Sequence, residues 1–500
     1  MPTITNLHPK LLQHIEKIEH YKQVLTLLNW DARTGAPRKG AIHAARAKGT
    51  LAEELFKLQR DPEFGKLLEE AESDEHADDL TKRIVREHRR AFTRWSAIPV
   101  EEYRAFVDRQ GLASVAWLEA RAANDFSLFA PHLKSIFDLS LKFASYWGYD
   151  EHPYDALVQQ FDPDLNARTL NRIFGELKSA LLPLIARVTS APRQPDTSIF
   201  TRPFPLDKQE QLGIQLLNAI RYDFDAGKFG ATVHPFSSAI NPHDARVASK
   251  YVENDVRISL WSALHEGGHS LYTQHIDPEL IHTGLGIFTS YGIHESQSIF
   301  FEKFIGRHKG FWQNHYPGLQ QLQPDPFANV ELDEFYLALN AVQPSLNRFE
   351  ADELTYNLHL IIRYELELAI IAGEVDYDAL PEAWNDKYEE YLGVRPPSHL
   401  EGILQDGHWS AGFGLFPSYT LGFVYAAQLH EAIRRDLSDY DQLVEEDRLE
   451  PILEWLATHV QQYGKSRSAD ELIHAITGQG IDTAPLIRYL TEKYERLYSL

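Results

Sequence analysis

The chain has 500 residues, a formal net charge of −23 and no cysteine. Its length supplies ample apolar surface for a large core, while the lack of cysteine excludes disulfides, thiol catalysis and metal sites with thiolate ligands. The acidic balance, without a basic cluster of useful size, excludes nucleic acid as a partner.

The first residues contain no basic region followed by an apolar run, so we predict no signal peptide and a cytoplasmic protein. The one long uncharged stretch, residues 410–429, contains Pro417 and three glycines. This composition suits a buried wall better than a membrane span, and we predict no membrane association.

No low-complexity linker divides the chain, so we predict one domain over residues 1–500. Within it we predict a helical cap at about 1–190, a core at about 222–310 and a helical C-terminal half at about 330–500.

Helical patterns dominate the first 220 residues. Apolar residues at a period of 3.6 predict two helices within residues 8–60, separated by Thr34-Gly35-Ala36-Pro37. Helical patterns continue from 77 to 190, and a further helix is predicted at about 207–221.

Residues 222–251 are the only stretch that predicts β-strands. Glycines and prolines mark turns, and residues 245–251 alternate at period two. We predict a small sheet that leads into the next helix. An edge strand of this sheet could bind an extended peptide through backbone hydrogen bonds, and a purely structural sheet is the open alternative.

The rest of the chain is predicted to be helical again. Residues 300–305 continue a helix, prolines around 316–326 predict a long loop, and a strong helix is predicted over 350–373. After a break at 393–397, helices extend to about residue 495. The predicted fold class is therefore mostly α, a large helical body with one small β-sheet.

The pentapeptide His-Glu-Gly-Gly-His at residues 265–269 lies in a stretch whose apolar residues recur at helical spacing. Positions i and i+4 share one face of a helix, so His265 and His269 can bind one zinc ion. Glu266 lies beside them and is predicted to be the general base that deprotonates the attacking water. The alternative is a core helix whose histidines are merely hydrogen-bonded.

A catalytic zinc ion needs a third protein ligand and one open position. Glu295, in the segment Ile293-His294-Glu295-Ser296, is predicted to supply it from a second helix. Co²⁺ or Mn²⁺ can substitute for Zn²⁺ at such a site. A glycine within a helix costs about 1 kcal/mol relative to alanine, so Gly267 and Gly268 predict close approach of another backbone or of substrate.

Several ordered motifs, together with the pentapeptide, resemble the carboxypeptidase Taq family of metallocarboxypeptidases over nearly the full chain. They are Asn29-Trp30-Asp31 with Arg33-Thr34 and Pro37, His234-Pro235-Phe236, Asp244-Ala245-Arg246, the segment around Glu295, Arg348-Phe349-Glu350-Ala351-Asp352-Glu353, Leu404-Gln405-Asp406-Gly407-His408-Trp409-Ser410 and Phe416-Pro417-Ser418-Tyr419.

This resemblance implies a zinc metallocarboxypeptidase that releases C-terminal residues from peptides of broad sequence, in a helical body with a deep active-site groove. It also implies a homodimer. Tyr419 and His408 are the predicted hydrogen-bond donors to the oxyanion. The alternative for this pair is a Tyr and a His satisfied within the core.

An exopeptidase that acts at the C-terminus must bind a free α-carboxylate, for which a guanidinium group is the natural partner. Arg348 is the first prediction for this role and Arg246 the second. The alternatives are ion pairs, of Arg348 with Asp352 by i,i+4 spacing and of Arg246 with Asp244.

One position departs from the family's DxRxT pattern, because Ala248 replaces the threonine. Two other functions stay open: a zinc oligopeptidase that cleaves internally, and a non-catalytic helical scaffold. Loss of cleavage on C-terminal amidation would separate the exopeptidase from the oligopeptidase.

Overall fold

A computed structural model describes residues 7–500. Residues 1–6, part of the segment in which we predict no signal peptide, lie outside the described residues. Within residues 7–500, no helix has both the length and the apolar character that crossing a membrane requires.

Helices account for most of the described chain, which confirms the mostly α fold class. The α-helices, in chain order, are α1 (Pro9–Thr34), α2 (Ala41–Gln59), α3 (Pro62–Glu72), α4 (Asp79–Ala97), α5 (Val100–Ala123), α6 (Ala130–Trp147), α7 (Pro153–Val158), α8 (Ala167–Thr189), α9 (Leu206–Ala219), α10 (Val256–Gln274), α11 (Tyr291–Ile299), α12 (Lys309–Leu322), α13 (Pro324–Phe327), α14 (Leu332–Leu339), α15 (Tyr356–Ala372), α16 (Leu380–Leu392), α17 (Phe416–Asp436), α18 (Tyr440–Glu445), α19 (Glu450–His459), α20 (Ala469–Thr477) and α21 (Ala484–Tyr498). A π-helix, Phe300–Ile305, continues directly from α11.

Three strands form the predicted small sheet: β1 (Gly227–Ala231), β2 (Phe236–Asn241) and β3 (Asp244–Ser249). Their order is β1-β3-β2, with β1 parallel and β2 antiparallel to the central β3. The predicted alternation holds only in part, because Ala248 is buried together with Val247 and Ser249. This follows from the position of β3 at the centre of the sheet, against α10.

Two sequence predictions about helix bounds are wrong. Pro317 does not mark a loop but lies inside α12. Packing next to the proline keeps the helix intact: Tyr316 is buried and stacks on Phe335, with ring centroids 4.3 Å apart. The helix predicted from residue 350 begins only at Tyr356, because the Asp352 side chain caps the backbone N–H groups of Leu354 and Thr355 in the preceding turn.

The chain folds into two compact units, each built from three separate stretches. Unit 1 comprises Met1–Ser96, Thr197–Tyr336 and Leu429–Gly480, and unit 2 comprises Ala97–Asp196, Leu337–Gln428 and Ile481–Leu500. The single domain with three consecutive segments stays a prediction.

Helix α10 is the centre of unit 1. It packs against β2, β3, α9, α11 and the π-helix. We expected burial along one side only, but from Ser262 onward every residue of α10 is buried except His265 and Gln274, which are partly exposed. The difference arises because neighbouring elements cover the helix on several sides.

In unit 2, helix α15 carries a buried polar row at i,i+4 spacing, formed by His359, Arg363 and Glu367. The Nε of Arg363 donates to Glu367 over 2.7 Å. The other carboxylate oxygen of Glu367 accepts from the Tyr154 hydroxyl over 2.8 Å and from the backbone N–H of Gly414 over 3.2 Å. This row therefore ties α15 to the loop that leads into α17.

Candidate metal centre

The glycine pair of α10 allows two neighbours to approach. A Cβ on Gly268 would lie 2.6 Å from the Gln297 carbonyl oxygen and 2.8 Å from the Cα of Ser298, both on α11. A Cβ on Gly267 would lie 2.7 Å from the side chains of Leu217 and Ile220. The predicted close approach of another backbone is confirmed, and it brings Glu295 toward the α10 histidines.

We expect Gly268→Ala to lower the free energy of unfolding by about 1–3 kcal/mol, because the methyl group would push into the α11 backbone. The matched control is Gly49→Ala in α2, where a Cβ would have no neighbour within 4 Å. There alanine should stabilise by up to about 1 kcal/mol through its helix propensity. Urea unfolding curves of both variants measure the difference, and equal shifts would contradict a packing role for Gly268.

Local capping fixes where each ligand helix begins. The Asp255 side chain accepts from the backbone N–H of Arg257 at the start of α10. The Ser290 side chain accepts from the backbone N–H of Ile293 at the start of α11. With both starts fixed, His265 and His269 lie one turn apart on α10, and Glu295 lies in the second turn of α11.

The structure brings the three predicted metal ligands together. The Oε2 atom of Glu295 lies 3.4 Å from Nε2 of His269 and 3.7 Å from Nε2 of His265. The ligand atoms of all three residues lie within 4.8 Å of one another. Tetrahedral zinc with bonds of about 2.0–2.2 Å needs ligand atoms roughly 3.3–3.6 Å apart. The two distances from Glu295 lie close to that range.

Two further observations show that these residues fit a divalent cation. The second carboxylate oxygen of Glu295, Oε1, is buried and has no hydrogen-bond partner within residues 7–500. A buried carboxylate oxygen without a partner is costly unless a cation compensates it. Two imidazoles and one carboxylate are also a donor set that suits zinc.

The electrostatics of His265 agree with cation binding. Burial lowers the pKa of His265, but the carboxylates of Glu295 and Glu302 outweigh this effect and raise the pKa to about 9. An imidazole must be neutral to bind a metal ion, so uptake of a cation by this set displaces a proton.

A second carboxylate orients His265. The Nδ1 atom of His265 lies 2.9 Å from Oε2 of Glu302, and Lys303 contacts the other oxygen of Glu302. Burial would raise the pKa of Glu302, but Lys303, His265 and Arg307 hold it well below its ordinary value. Glu302 is therefore ionised, and it accepts the Nδ1 proton and leaves Nε2 of His265 free to bind metal.

His269 is oriented differently. Its Nδ1 lies 3.1 Å from the backbone oxygen of His294. The His294 ring stacks between His269 and Phe288, with centroids 4.0 Å from each. Burial, together with the charges of His269 and His265, lowers the pKa of His294 well below its ordinary value. The neutral imidazole of His294, stacked between two rings, thus fixes the plane of the His269 ring.

Glu266 lies on α10 beside the ligand set and is mostly buried, with 8% of its surface exposed. It does not belong to the group of ligand atoms that converge on one point. Within residues 7–500 its carboxylate makes no hydrogen bond, so its lone pairs are available to solvent or substrate. This is the environment that a general base needs.

The predicted residues Arg348, His408 and Tyr419 form a second cluster, within unit 2. The Nε of Arg348 donates to Asp406 over 2.8 Å, and His408 Nδ1 lies 2.6 Å from the other Asp406 oxygen. The Cζ of Arg348 lies 5.2 Å from the centroid of the Tyr419 ring. Although burial opposes it, Arg348 holds the pKa of Asp406 well below its ordinary value.

The alternative pairing of Arg348 with Asp352 is wrong. Residues 348–350 form a single 3₁₀ turn and Ala351 is extended, so i,i+4 spacing does not bring the two side chains together. Asp352 instead accepts from Gln343, Leu354 and Thr355.

The alternative pairing of Arg246 is confirmed. Its guanidinium group donates twice to Asp244, over 2.6 and 2.7 Å, and lies 5.7 Å from the Trp30 ring. The ion pair is local to β3, which fixes the direction of the side chain.

Sequence reasoning missed the roles of Glu302 and Asp406. Glu302 lies seven residues after Glu295, a spacing that places both near one face of a continuous helix and could have pointed to it. Asp406 lies two residues before the candidate His408, and a carboxylate at that spacing is a signal for a group that orients the imidazole.

Comparisons with known proteins show the family of this chain. The pattern of the family described as carboxypeptidase Taq (M32) metallopeptidase matches residues 10–494. "Carboxypeptidase 1" of Bacillus subtilis is 43% identical over 490 residues, which cover 97% of each chain. "Thermostable carboxypeptidase 1" of Thermus thermophilus is 37% identical over 504 residues, covering 98% of this chain and 99% of the relative.

Solved structures show the same fold. The M32 carboxypeptidase from Deinococcus radiodurans superposes with a TM-score of 0.95 at 36% identity, covering 98% of this chain and 99% of that one. A Pyrococcus furiosus carboxypeptidase, described as "Apo-Mg", gives a TM-score of 0.95 at 32% identity, covering 99% of this chain and 100% of that one.

Two histidines and a glutamate that converge from neighbouring helices, with a second glutamate beside them, define a metallopeptidase of the HExxH class. The two relatives, which match over 97% and 99% of their length, are named carboxypeptidases. The chain belongs to the carboxypeptidase Taq (M32) family and is a metallocarboxypeptidase. The resemblance found in the sequence is confirmed.

Proposed function

We propose that this enzyme uses zinc to release single residues from the C-termini of peptides of broad sequence. The observation that carries the proposal is the convergence of His265, His269 and Glu295 within 4.8 Å, with Glu266 beside them. The family membership supports the direction of cleavage, since the relatives are named carboxypeptidases.

His265, His269 and Glu295 would hold the metal ion, and Co²⁺ or Mn²⁺ could replace zinc there. When bound, such an ion polarises the scissile carbonyl group and lowers the pKa of water. Glu302 and His294 keep the two imidazoles in the orientation that binding requires.

Glu266 is the proposed general base. Its carboxylate would take a proton from the water that attacks the scissile carbonyl carbon, and would then give that proton to the departing amine. The lack of any hydrogen bond to this carboxylate within the described residues supports the assignment, because the lone pairs are not already used.

The roles of Tyr419 and His408 as oxyanion donors, and of Arg348 and Arg246 as ligands of the substrate carboxylate, stay predictions. They come from the family's motifs. The roles of Tyr419, His408 and Arg348 are supported by one cluster, in which Asp406 contacts Arg348 and His408, and Tyr419 lies beside Arg348. For Arg246, the two hydrogen bonds to Asp244 leave fewer N–H donors for a substrate.

We propose a homodimer, which rests on the resemblance to the family, and a cytoplasmic location. We likewise propose no nucleic-acid partner and no membrane association, in keeping with the net charge of −23. Sedimentation equilibrium at two protein concentrations tests the dimer.

Amidation of the peptide C-terminus tests the direction of cleavage. We expect the zinc-loaded enzyme to shorten a mixed peptide digest only from the C-terminus, and to lose roughly 100-fold in kcat/KM on amidated peptides, because the charged end is no longer recognised. Mass spectrometry with and without chelator gives the pattern. Internal cuts that persist on amidated peptides would instead indicate an oligopeptidase.

A further inference from the structure

Helix α4, in unit 1, carries a row of cations along one face. Lys82, Arg86, Arg90 and Arg94 follow one another at i,i+4 spacing, and Arg89 lies beside them. Side chains four residues apart are neighbours on a helix, and like charges at that spacing destabilise it. From the sequence we expected no basic cluster of useful size, because apolar and acidic residues separate these cations along the chain. The helix brings them together at a cost to its own stability.

A groove lies between this cationic row and helix α3. It has a volume of about 490 Å³, within the range of sites for small ligands. All five cations line it, and α3 contributes Ala71 and Glu72. Glu72 supplies the one carboxylate among the lining residues. The groove is therefore strongly cationic, in a protein whose net charge is −23.

The packing of α3 against α4 fixes the walls of the groove. The Phe64 and Phe92 rings meet with centroids 6.1 Å apart, and a Cβ on Gly65 would lie 2.5 Å from the Phe92 ring. Elsewhere on α4, Nε2 of the buried His88 donates to the backbone oxygen of Thr283 over 2.8 Å. The cations thus project from a preformed scaffold, which lowers the entropic cost of binding a ligand.

Neighbouring acids do not neutralise the row. Lys82 and Arg86 are exposed and form no ion pair or side-chain hydrogen bond within residues 7–500. Arg90 donates to Oε2 of Glu87 over 2.7 Å, but the same oxygen lies 3.3 Å from Nζ of Lys465. One carboxylate is therefore shared by two cations, and the outer part of the row keeps its donors available.

Two further arginines show the same surplus of positive charge. The Nε of Arg89 lies 3.4 Å from the carboxylate of Glu72, the acid that faces all five cations of the groove. Burial, together with the charge of Arg90, lowers the pKa of Arg94 to about 10. A guanidinium group ordinarily holds its proton far above that pH, and a bound anion would favour the charged form.

We propose that the groove between α3 and α4 binds a small anion with two or more phosphate groups. Guanidinium groups match phosphate oxygens in a planar, bidentate geometry. Successive cations of the row are about 6 Å apart along the helix axis, so linked phosphate groups can follow the row while a single phosphate engages only part of it. Inorganic pyrophosphate and nucleoside diphosphates share this chemistry. The site uses none of the metal ligands and does not depend on the proposed function.

Calorimetry with the zinc-loaded enzyme and inorganic pyrophosphate tests the site. We expect saturable binding that weakens as salt is raised, and a Kd roughly 10-fold higher for Arg86→Gln, because a charge-assisted hydrogen bond is lost. Lys82→Gln should raise the Kd less, since an ammonium group lacks the planar fork. Arg46→Gln, at an exposed arginine of α2, is the matched control and should leave the Kd unchanged. Any capture of zinc by pyrophosphate is common to all variants, so their differences report on the groove.

ADP in place of pyrophosphate identifies the source of the phosphate groups. A lower Kd for ADP indicates a nucleoside diphosphate, and an equal or higher Kd indicates an inorganic ligand. Both results support the site.

Three results would overturn it: no saturable binding of either probe, the same pyrophosphate Kd in Arg86→Gln as in the wild type, or orthophosphate bound as tightly as pyrophosphate. Circular dichroism confirms that the variants are folded. Arg86→Gln should release C-terminal residues at the wild-type rate. If the wild-type enzyme cleaves no peptide, the proposed function fails, whereas the pyrophosphate Kd values still decide the groove.

Discussion

Glu266→Gln is expected to reduce the release of C-terminal residues by roughly 10²–10⁴-fold, the usual contribution of a positioned general base. Glutamine has nearly the same shape as glutamate but cannot accept the proton of the attacking water. The loss should appear in kcat and in kcat/KM together, because proton transfer belongs to the transition state and not to substrate binding. Steady-state assays of amino-acid release measure it.

Metal content is the control for this result. Glu266 does not belong to the converging ligand group, so Glu266→Gln should retain about one zinc ion per chain by elemental analysis. An inactive variant that has lost its metal would show a ligand role for Glu266. A variant with full activity would exclude it as the base.

Glu295→Ala is expected to weaken metal binding more than a substitution of a residue that only orients a metal ligand. It removes one of three ligands and leaves His265 and His269 alone. Loss of an orienting partner of a ligand costs roughly 10–100-fold in metal affinity, so we expect Glu302→Gln to fall in that range and Glu295→Ala to exceed it. Competition with a chromogenic chelator at fixed pH measures both affinities.

The matched control for the two acids is Glu253→Ala, at an exposed position of unit 1. It should leave metal affinity unchanged. Circular dichroism shows whether each variant remains folded, so that a weaker affinity reports on the ligand set. If Glu302→Gln weakens metal binding as much as Glu295→Ala, then Glu302 contributes more than orientation of His265, and the expected order of the two carboxylates is wrong.

The mostly helical fold and the small sheet were predictable because their signals are local. A period of 3.6 marks α1 and α15, and turn residues frame β1 to β3. The grouping of His265 and His269 with Glu295 was predictable for a related reason: i,i+4 spacing on one helix is fixed geometry, and the glycine pair signals where a neighbouring backbone lies.

What the sequence could not supply are contacts between residues distant along the chain. The pairing of Arg348 with Asp406 spans 58 residues and depends on how two loops meet, so local spacing suggested Asp352 instead. The prediction of a loop at Pro317 was wrong because proline usually breaks a helix, whereas here the neighbouring Tyr316 is buried and the helix continues. The stacking of Arg33 on Phe236 likewise joins elements about 200 residues apart.

The last stretch of unit 1 has a consequence for biosynthesis. Gln461 donates to Gln297 over 2.8 Å and contacts His275 over 2.7 Å, and the backbone oxygen of Gly464 accepts from Thr289. These three contacts of α11 and of the ends of the segment that joins it to α10 therefore form only after the ribosome has made more than nine-tenths of the chain. We expect a nascent polypeptide that stalls before residue 460 to remain open at the centre of unit 1 and to attract chaperones or proteases.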